Sequence, residues 1–251
     1  MKEISYFYSC CERSKFLFVL RIASGSVTCL ALPSIAFNVA CTWCEVPVGT
    51  IYFTGGYNTA QAVAIESTRD FAVVDKPSMN LMRHSHGAAY LAGCLYIIGG
   101  FRFDCIKPCE RYIISLNRWE LIDSLPESCY CMSVIAIAET KSIYALGGKK
   151  ISSLNSIQRL RCSTLNWEIL ALKLPFQQES IAVFKLDESQ VYFVQHKALY
   201  KFCISSNTIE HVKGLSDTMV SLYGPSYYNG GRLYCSNRNS APNIYEIGEL
   251  G

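Results

Sequence analysis

A short pattern with a tyrosine near its start and two glycines at its end returns along this chain at a nearly constant interval. Full copies are IYFTGG at 51–56, LYIIGG at 95–100 and IYALGG at 143–148, and weaker copies are VYFVQH at 191–196 and LYCSNR at 233–238. The five tyrosines are separated by 44, 48, 48 and 42 residues. Intervals of about 40–50 residues are typical of the four-stranded blades of β-propellers. The repeat therefore predicts an all-β chain made of similar units.

Each unit contains four apolar runs, which predict four antiparallel strands. In the unit around Tyr144, SVIAIA at 133–138 precedes the tyrosine run, IQRLRCS at 157–163 follows it, and a fourth run begins at Trp167. Turn residues separate the runs, as they separate the strands of hairpins. Pro175 closes the fourth run, because proline cannot donate a hydrogen bond to a strand ladder. Each unit is therefore predicted to be one four-stranded sheet.

These residues resemble the kelch repeat, which has an apolar strand, a tyrosine strand closed by Gly-Gly, a third strand, and a tryptophan on the fourth. The resemblance is strongest over 51–167, where three glycine pairs are in phase, Trp119 and Trp167 stand at the fourth-strand position, and Phe71 replaces tryptophan in the first unit. It is weaker in the last two units, which lack the glycine pair and the tryptophan. The resemblance implies a kelch-type β-propeller, in which glycines permit close backbone approach and aromatic rings fill the seams between sheets.

The repeat length also predicts how the propeller is divided. We expect a single domain over 1–251, with complete units at 35–78, 79–126, 127–175 and 176–215 and partial units at 1–34 and 216–251. The first partial unit has three strand-like runs that resemble the last three strands of a blade, and the last partial unit has about three runs and no fourth. We therefore predict six blades with incomplete terminal blades. A five-bladed ring, with one blade shared by both termini, is the alternative.

Composition and charge exclude several classes of protein. Half of the residues are hydrophobic and only 17% are charged, which excludes a disordered chain and predicts a large core. A net charge of +3 is too small for a dedicated nucleic-acid surface. The 13 cysteines are not accompanied by a secretory signal, and the early apolar run at 15–20 is too short to span a membrane. We expect a reduced, cytoplasmic monomer whose cysteines act as small core hydrophobes and which contacts no membrane.

Loops rather than strands carry binding in propellers, and the resemblance implies a site in the loops after the Gly-Gly strands and in the crossovers between units. The candidate partner-binding residues are Tyr57, Asn58, Arg83, His84, Phe101, Arg102, Lys149, Lys150 and Arg238. Arginine and aromatic residues are favoured anchors at interfaces, and cations pair well with carboxylates. We therefore predict a non-catalytic protein–protein interaction module, an adaptor or scaffold, that binds a protein or acidic peptide through loops on one face.

The alternative is a propeller enzyme that acts on a small molecule or sugar with a metal in the central channel. Some kelch propellers are copper oxidases that use two histidines and a tyrosine cross-linked to cysteine. In this chain His84 and His86 share a crossover, but the other two histidines belong to different units, and no nucleophile motif is present. Cys41 and Cys44 have CxxC spacing without a second pair at zinc-site spacing. We therefore expect no catalytic residue, no metal and no other cofactor.

Overall fold

The computed structural model describes residues 6–10, 13–33, 35, 37–47, 49–217, 219, 224–236 and 241–250. These residues form 22 β-strands in six antiparallel sheets and two single-turn 3₁₀ helices, at Ser67–Arg69 and Ile114–Leu116. Within these ranges, no helix combines the length and the apolar character that crossing a membrane requires.

The six sheets are the blades of a propeller. Blade 1 contains β1 (Tyr6–Cys10), β2 (Phe16–Arg21) and β3 (Ser26–Ala31). Blade 2 contains β4 (Thr42–Val46), β5 (Thr50–Thr54), β6 (Ala62–Glu66) and β7 (Ala72–Lys76). Blade 3 contains β8 (Gly87–Leu91), β9 (Cys94–Ile98), β10 (Cys109–Ile113) and β11 (Arg118–Ile122). Blade 4 contains β12 (Ser133–Ile137), β13 (Ser142–Leu146), β14 (Ser156–Arg161) and β15 (Asn166–Lys173). Blade 5 contains β16 (Ala182–Lys185), β17 (Gln190–Gln195), β18 (Ala198–Cys203) and β19 (Thr208–Gly214). Blade 6 contains β20 (Ser226–Asn229), β21 (Arg232–Cys235) and β22 (Asn243–Glu246).

The blades close into a ring at the seams beside blade 1. Phe7 of β1 lies 5.6 Å from the ring of Trp43 in blade 2 and 6.3 Å from that of Tyr234 in blade 6. Blade 1 therefore sits between the second and the last blade. The prediction of a six-bladed kelch-type propeller is confirmed, and the five-bladed alternative is wrong. Among the described residues, blades 1 and 6 have three strands each.

The repeated tyrosines fill the seams between neighbouring blades. Each of the five is the third residue of the second strand of its blade, and each is buried. The ring of Tyr52 lies 5.8 Å from Tyr112 on the third strand of the next blade, and Tyr144 lies 5.5 Å from Phe202 in the same relation. Such aromatic pairs add to the stability gained by burying their area. The period found in the sequence is therefore the spacing of inter-blade contacts.

Phe71, which the sequence pattern predicted at the fourth-strand position of blade 2, does not lie in the fourth strand. Trp119 lies inside β11 opposite Tyr112, and its Nε1 donates to the carbonyl of Pro77 at 2.7 Å. Phe71 precedes β7 and lies in the turn with a φ of +56°, while Val73 stands opposite Ile65 at the position that corresponds to tryptophan. Phe71 therefore stands two residues before the position that corresponds to tryptophan, and Val73 occupies that position in blade 2.

The glycine pairs connect each second strand to the crossovers on both sides. Gly147 has a φ of +62°, and a Cβ built on it would stand 2.4 Å from the carbonyl oxygen of Gln178 in the crossover to blade 5. Gly148 donates its N–H to the same carbonyl at 3.0 Å. On its other side, a Cβ built on Gly148 would stand 3.0 Å from the carbonyl oxygen of Tyr130 in the preceding crossover. Blades 2 and 3 repeat the bond through Gly56 and Gly100. A side chain at the first glycine would block this approach.

Antiparallel strands place two kinds of connection on one face of the ring, which we call the loop face. It carries the loops between second and third strands, at 55–61, 99–108 and 147–155 in blades 2 to 4. It also carries the crossovers between blades, at 77–86, 123–132 and 174–181. The turns between first and second strands and between third and fourth strands lie on the opposite face.

Candidate interaction site on the loop face

The loops of blades 3 and 4 are built in the same way after their glycine pairs. Phe101 pairs with His84 of the preceding crossover and with Cys105 across the loop, and Lys149 makes the same two bridges, to Tyr130 and Ser153. Backbone bonds from Arg102 N to Asp104 O and from Lys150 N to Ser152 O, both 3.0 Å, close matching turns. The two loops therefore present equivalent positions to solvent.

The tip of each turn is a hydrophobic residue that stands almost free in solvent. Phe103 is 83% exposed and Ile151 is 93% exposed, and each follows an exposed cation, Arg102 or Lys150. Tyr57, in the corresponding loop of blade 2, is 62% exposed. Single exposed hydrophobes are common, but a group of them on adjacent loops marks an interaction surface. Three neighbouring blades thus carry large exposed apolar side chains on one face.

Below the tips, four rings form a continuous row across the crossovers, which we call the aromatic row. The ring centroids are 5.7 Å apart for Tyr57 and His84, 5.4 Å for His84 and Phe101, and 5.2 Å for Phe101 and Tyr130. Partial burial of His84 lowers its pKa below the ordinary 6.5, so the ring is neutral at pH 7. The row is therefore an apolar platform that links blades 2, 3 and 4.

Arg83 was a candidate binding residue, but it is buried beneath the platform. Its Nη1 donates to the carbonyls of Gly99 and Pro108, at 2.8 and 2.6 Å, and its Nη2 donates to Glu110 Oε1 at 2.9 Å. Both side chains of this ion pair have no exposed surface. Because burial disfavours the charged form, the pKa of Arg83 is lowered from its ordinary value, even though Glu110 acts in the opposite direction. Arg83 therefore holds the crossover under His84 rather than meeting a partner.

The cations of the loop face differ in whether they already have a partner. Lys149 forms an ion pair with Glu179 at 3.4 Å, and the carboxylate raises the pKa of the lysine. Arg102 and Lys150 form no salt bridge with any residue in the described part of the chain. The guanidinium of Arg102 lies 5.5 Å above the ring of Phe103. These two cations, at equivalent turn positions of blades 3 and 4, are therefore available to an incoming anion.

The remaining candidate residues are placed as follows. Asn58 is exposed beside Tyr57 with a φ of +56°. Arg238 lies outside the described residues. Sequence reasoning missed Ile151 as a site residue, although aligning its loop with that of blade 3 on the glycine pairs would have shown a cation followed by a hydrophobe in both. It also missed Tyr130, which occupies the crossover position that His84 occupies one blade earlier.

The histidines of the enzyme alternative do not meet at one point. His86 is buried, with its Nε2 2.9 Å from Thr54 Oγ1, whereas His84 belongs to the aromatic row. His196 stacks on Phe176 at 4.3 Å, and His211 is exposed on β19. No group of three or more His, Cys, Asp or Glu side chains in the described ranges is arranged to hold a metal.

The cysteine pair with CxxC spacing lies in the core. Cys41 and Cys44, beside and within β4, are both buried. Burial raises the pKa of Cys44 to about 12, so this thiol is protonated at neutral pH. The positions behave as small buried hydrophobes, the structural role that the sequence suggested for cysteine.

Comparison with known proteins gives the same repeat. The family model for the Kelch motif matches residues 82–126, which contain blade 3 and the crossover that leads to it. Kelch-like protein 23 of Pongo abelii and of Homo sapiens are each 28% identical over 98 residues, and that of Mus musculus is 26% identical. These alignments cover 36% of this chain and 17% of the relative, so the chain matches only a small part of each relative's length. The chain therefore folds as a six-bladed propeller with phased glycine pairs, and it carries a Kelch motif in its third blade.

Proposed function

We propose that this propeller is a non-catalytic protein-interaction module that holds a protein or peptide partner on its loop face. The observation that supports the proposal is the pair of tips on blades 3 and 4, where Phe103 and Ile151 are almost fully exposed. Each stands beside a cation that forms no salt bridge with any described residue. Aromatic and arginine side chains are favoured hot-spot residues. The similarity of this chain to Kelch-like proteins agrees with such a role.

The charge of the surface favours a partner with acidic residues near apolar ones. Arg102 and Lys150 stand at equivalent turn positions on neighbouring blades, each next to an exposed hydrophobe. Carboxylates would form charge-assisted hydrogen bonds with them. Complementary charges of this kind speed association and select partners.

The test is affinity capture from cytosol with the double variant Arg102→Glu/Lys150→Glu, compared with Lys141→Glu as a control. Lys141 is an exposed lysine in the turn between β12 and β13, on the opposite face. We expect the double variant to retain less than a tenth of the captured partner and the control to retain nearly all of it. Urea denaturation should show little change in stability for either variant, because exposed loop substitutions rarely affect it.

Equal capture by the double variant and the wild type would refute the proposal. Metal analysis of the same preparation tests the enzyme alternative. One bound copper or zinc ion per chain, with no captured protein, would favour a site in the central channel instead.

A further inference from the structure

A pocket opens on the loop face between the loops of blades 2 and 3. Its volume is about 150 Å³. Apolar and aromatic walls are Tyr57, Met82, His84, Phe101 and Phe103, and Asn58, Arg83 and Arg102 complete the lining. An apolar cavity of about this volume can accept a benzene molecule. The pocket therefore has room for one aromatic ring or one branched aliphatic side chain.

Two walls of the pocket, His84 and Phe101, are held in place without a ligand. His84 N donates to Phe101 O at 3.0 Å, and Phe101 N donates to His84 O at 2.9 Å. The His84 ring stands between Tyr57 and Phe101, with its Nδ1 3.0 Å from Ser85 Oγ. The buried pair of Arg83 and its carboxylate fixes the crossover from below. A preformed pocket loses little conformational freedom on binding, which favours affinity.

The charge at the mouth of the pocket selects against a cation. Aromatic walls alone could form a cage for an ammonium group. Here, however, the guanidinium of Arg102 already lies over the Phe103 ring, so a second positive charge would be repelled. Arg102 makes no salt bridge in the described part of the chain, so a carboxylate beside the pocket would gain a partner.

We infer that this pocket receives a single large apolar side chain, aromatic or branched aliphatic, from an acidic segment of the partner, with a flanking carboxylate on Arg102. The inference rests on the proposed function and specifies the chemistry of its partner. The tip at Ile151 lies one blade away and is not among the residues that line the pocket. The residues that select the partner's apolar side chain therefore lie between blades 2 and 3.

The test uses fluorescein-labelled peptides of sequence GEEXEEG, with Phe, Leu, Ala or Lys at X, and fluorescence anisotropy with the whole chain. We expect Phe or Leu at X to bind at least tenfold more tightly than Ala, and Lys to bind no better than Ala. The variants Tyr57→Ala and Phe103→Ala should reduce the preference for Phe over Ala to less than threefold. Leu121→Ala is the matched control, because Leu121 is as exposed as Tyr57, at 62%, but lies on the outer strand of blade 3.

Three results would overturn the inference: tightest binding with Lys at X, equal binding of all four peptides, or binding of none. Equal binding that is lost in Arg102→Glu would leave the proposed function in place and remove only the anchor pocket. Unchanged partner capture by the charge-reversed double variant would refute the proposed function, whatever the peptides show.

Discussion

Blades 4 and 5 solve the same structural problem in different ways. Each must end its second strand and connect it to the crossovers on the loop face. In blade 4 the strand ends in Gly147-Gly148, and nine residues, 147–155, separate it from the third strand. In blade 5 the strand ends in Gln195, and only His196 and Lys197 separate it from the third strand.

The two solutions use different atoms for the contact. The glycines of blade 4 bring the backbone against the crossover, where Gly148 N donates to Gln178 O. In blade 5 the fully buried side chain of Gln195 contacts the same crossover, 174–181, from the other side. Its amide bonds to both the N–H and the carbonyl of Phe176, at 3.4 and 3.0 Å. The comparison shows that backbone contact leaves the following loop free to project, whereas the side-chain contact is followed by a tight hairpin. The exposed tips therefore occur on blades with a glycine pair.

The largest loss of stability is expected for Arg83→Met, which removes the buried cation that bonds to the carbonyl of Gly99 in the glycine pair of blade 3. This change leaves Glu110 buried without its cation, which costs about 3–5 kcal/mol in comparable buried pairs. Arg111→Met, on the same blade, is the control, because Arg111 and Glu120 pair at 2.9 Å while partly exposed. Urea denaturation should show a much larger loss of unfolding free energy for Arg83→Met than for the control. Similar losses in the two variants would mean that the buried pair does not hold the crossover.

The second change, Gly147→Ala, tests the close approach directly. Its Cβ would overlap the Gln178 carbonyl, in addition to the strain of a φ of +62°, and we expect a loss of about 2–3 kcal/mol. Gly93→Ala is the control, since Gly93 also has a positive φ, +82°, but a Cβ added there would meet no atom within 4 Å. The control should lose about 1 kcal/mol, as strain alone predicts. Equal losses in chemical denaturation would show that strain, not inter-blade contact, makes glycine necessary here.

The third and smallest effect is acid sensitivity at the seam between blades 2 and 3. Burial lowers the pKa of His86 well below the ordinary 6.5, and Arg83 and His84 act in the same direction. Below about pH 6.5 the unfolded chain binds a proton that the folded chain does not, so stability falls as the pH drops, by about 1.4 kcal/mol per pH unit until the folded pKa is reached.

The variant His86→Gln should reduce this slope between pH 6.5 and 5, because glutamine does not titrate. Stability measured by urea denaturation at several pH values checks the prediction, with His211→Gln on the exposed outer strand as the control. An unchanged slope in His86→Gln would assign the acid sensitivity to other groups, including His84.

Much of the fold could be predicted from the sequence because each repeat places a tyrosine at the same position of its second strand. Tyr52 and Tyr144 each pack against an aromatic ring on the third strand of the next blade, so the spacing of the tyrosines is the spacing of the blades. The structure confirmed six blades on this basis. The error at Phe71, two residues before Val73, arose because loop and turn lengths differ between blades 2 and 3, and these lengths fix the strand register.

The candidate site could be predicted only as a set of loops. The sequence correctly placed Tyr57, His84, Phe101, Arg102 and Lys150 on one face, because strand order fixes where loops emerge. It could not show which cations already form an ion pair within the chain, since the carboxylates that pair with them are distant in the sequence. Arg83 meets a glutamate 27 residues away, and Lys149 meets one 30 residues away.

Taken alone, the sequence predicted the period of the repeat, the four-strand pattern of a unit and the face that carries the variable loops, because periodic apolar residues and glycines act over a few neighbouring positions. Only the tertiary structure decided between six and five blades. It alone showed that Arg83 is buried, that Arg102 has no salt-bridge partner within the described part of the chain, and that Phe103 stands in solvent beside a pocket. Those properties depend on contacts between blades and loops that are far apart in the sequence. The burial and the ion pairs of a side chain are set by these distant neighbours.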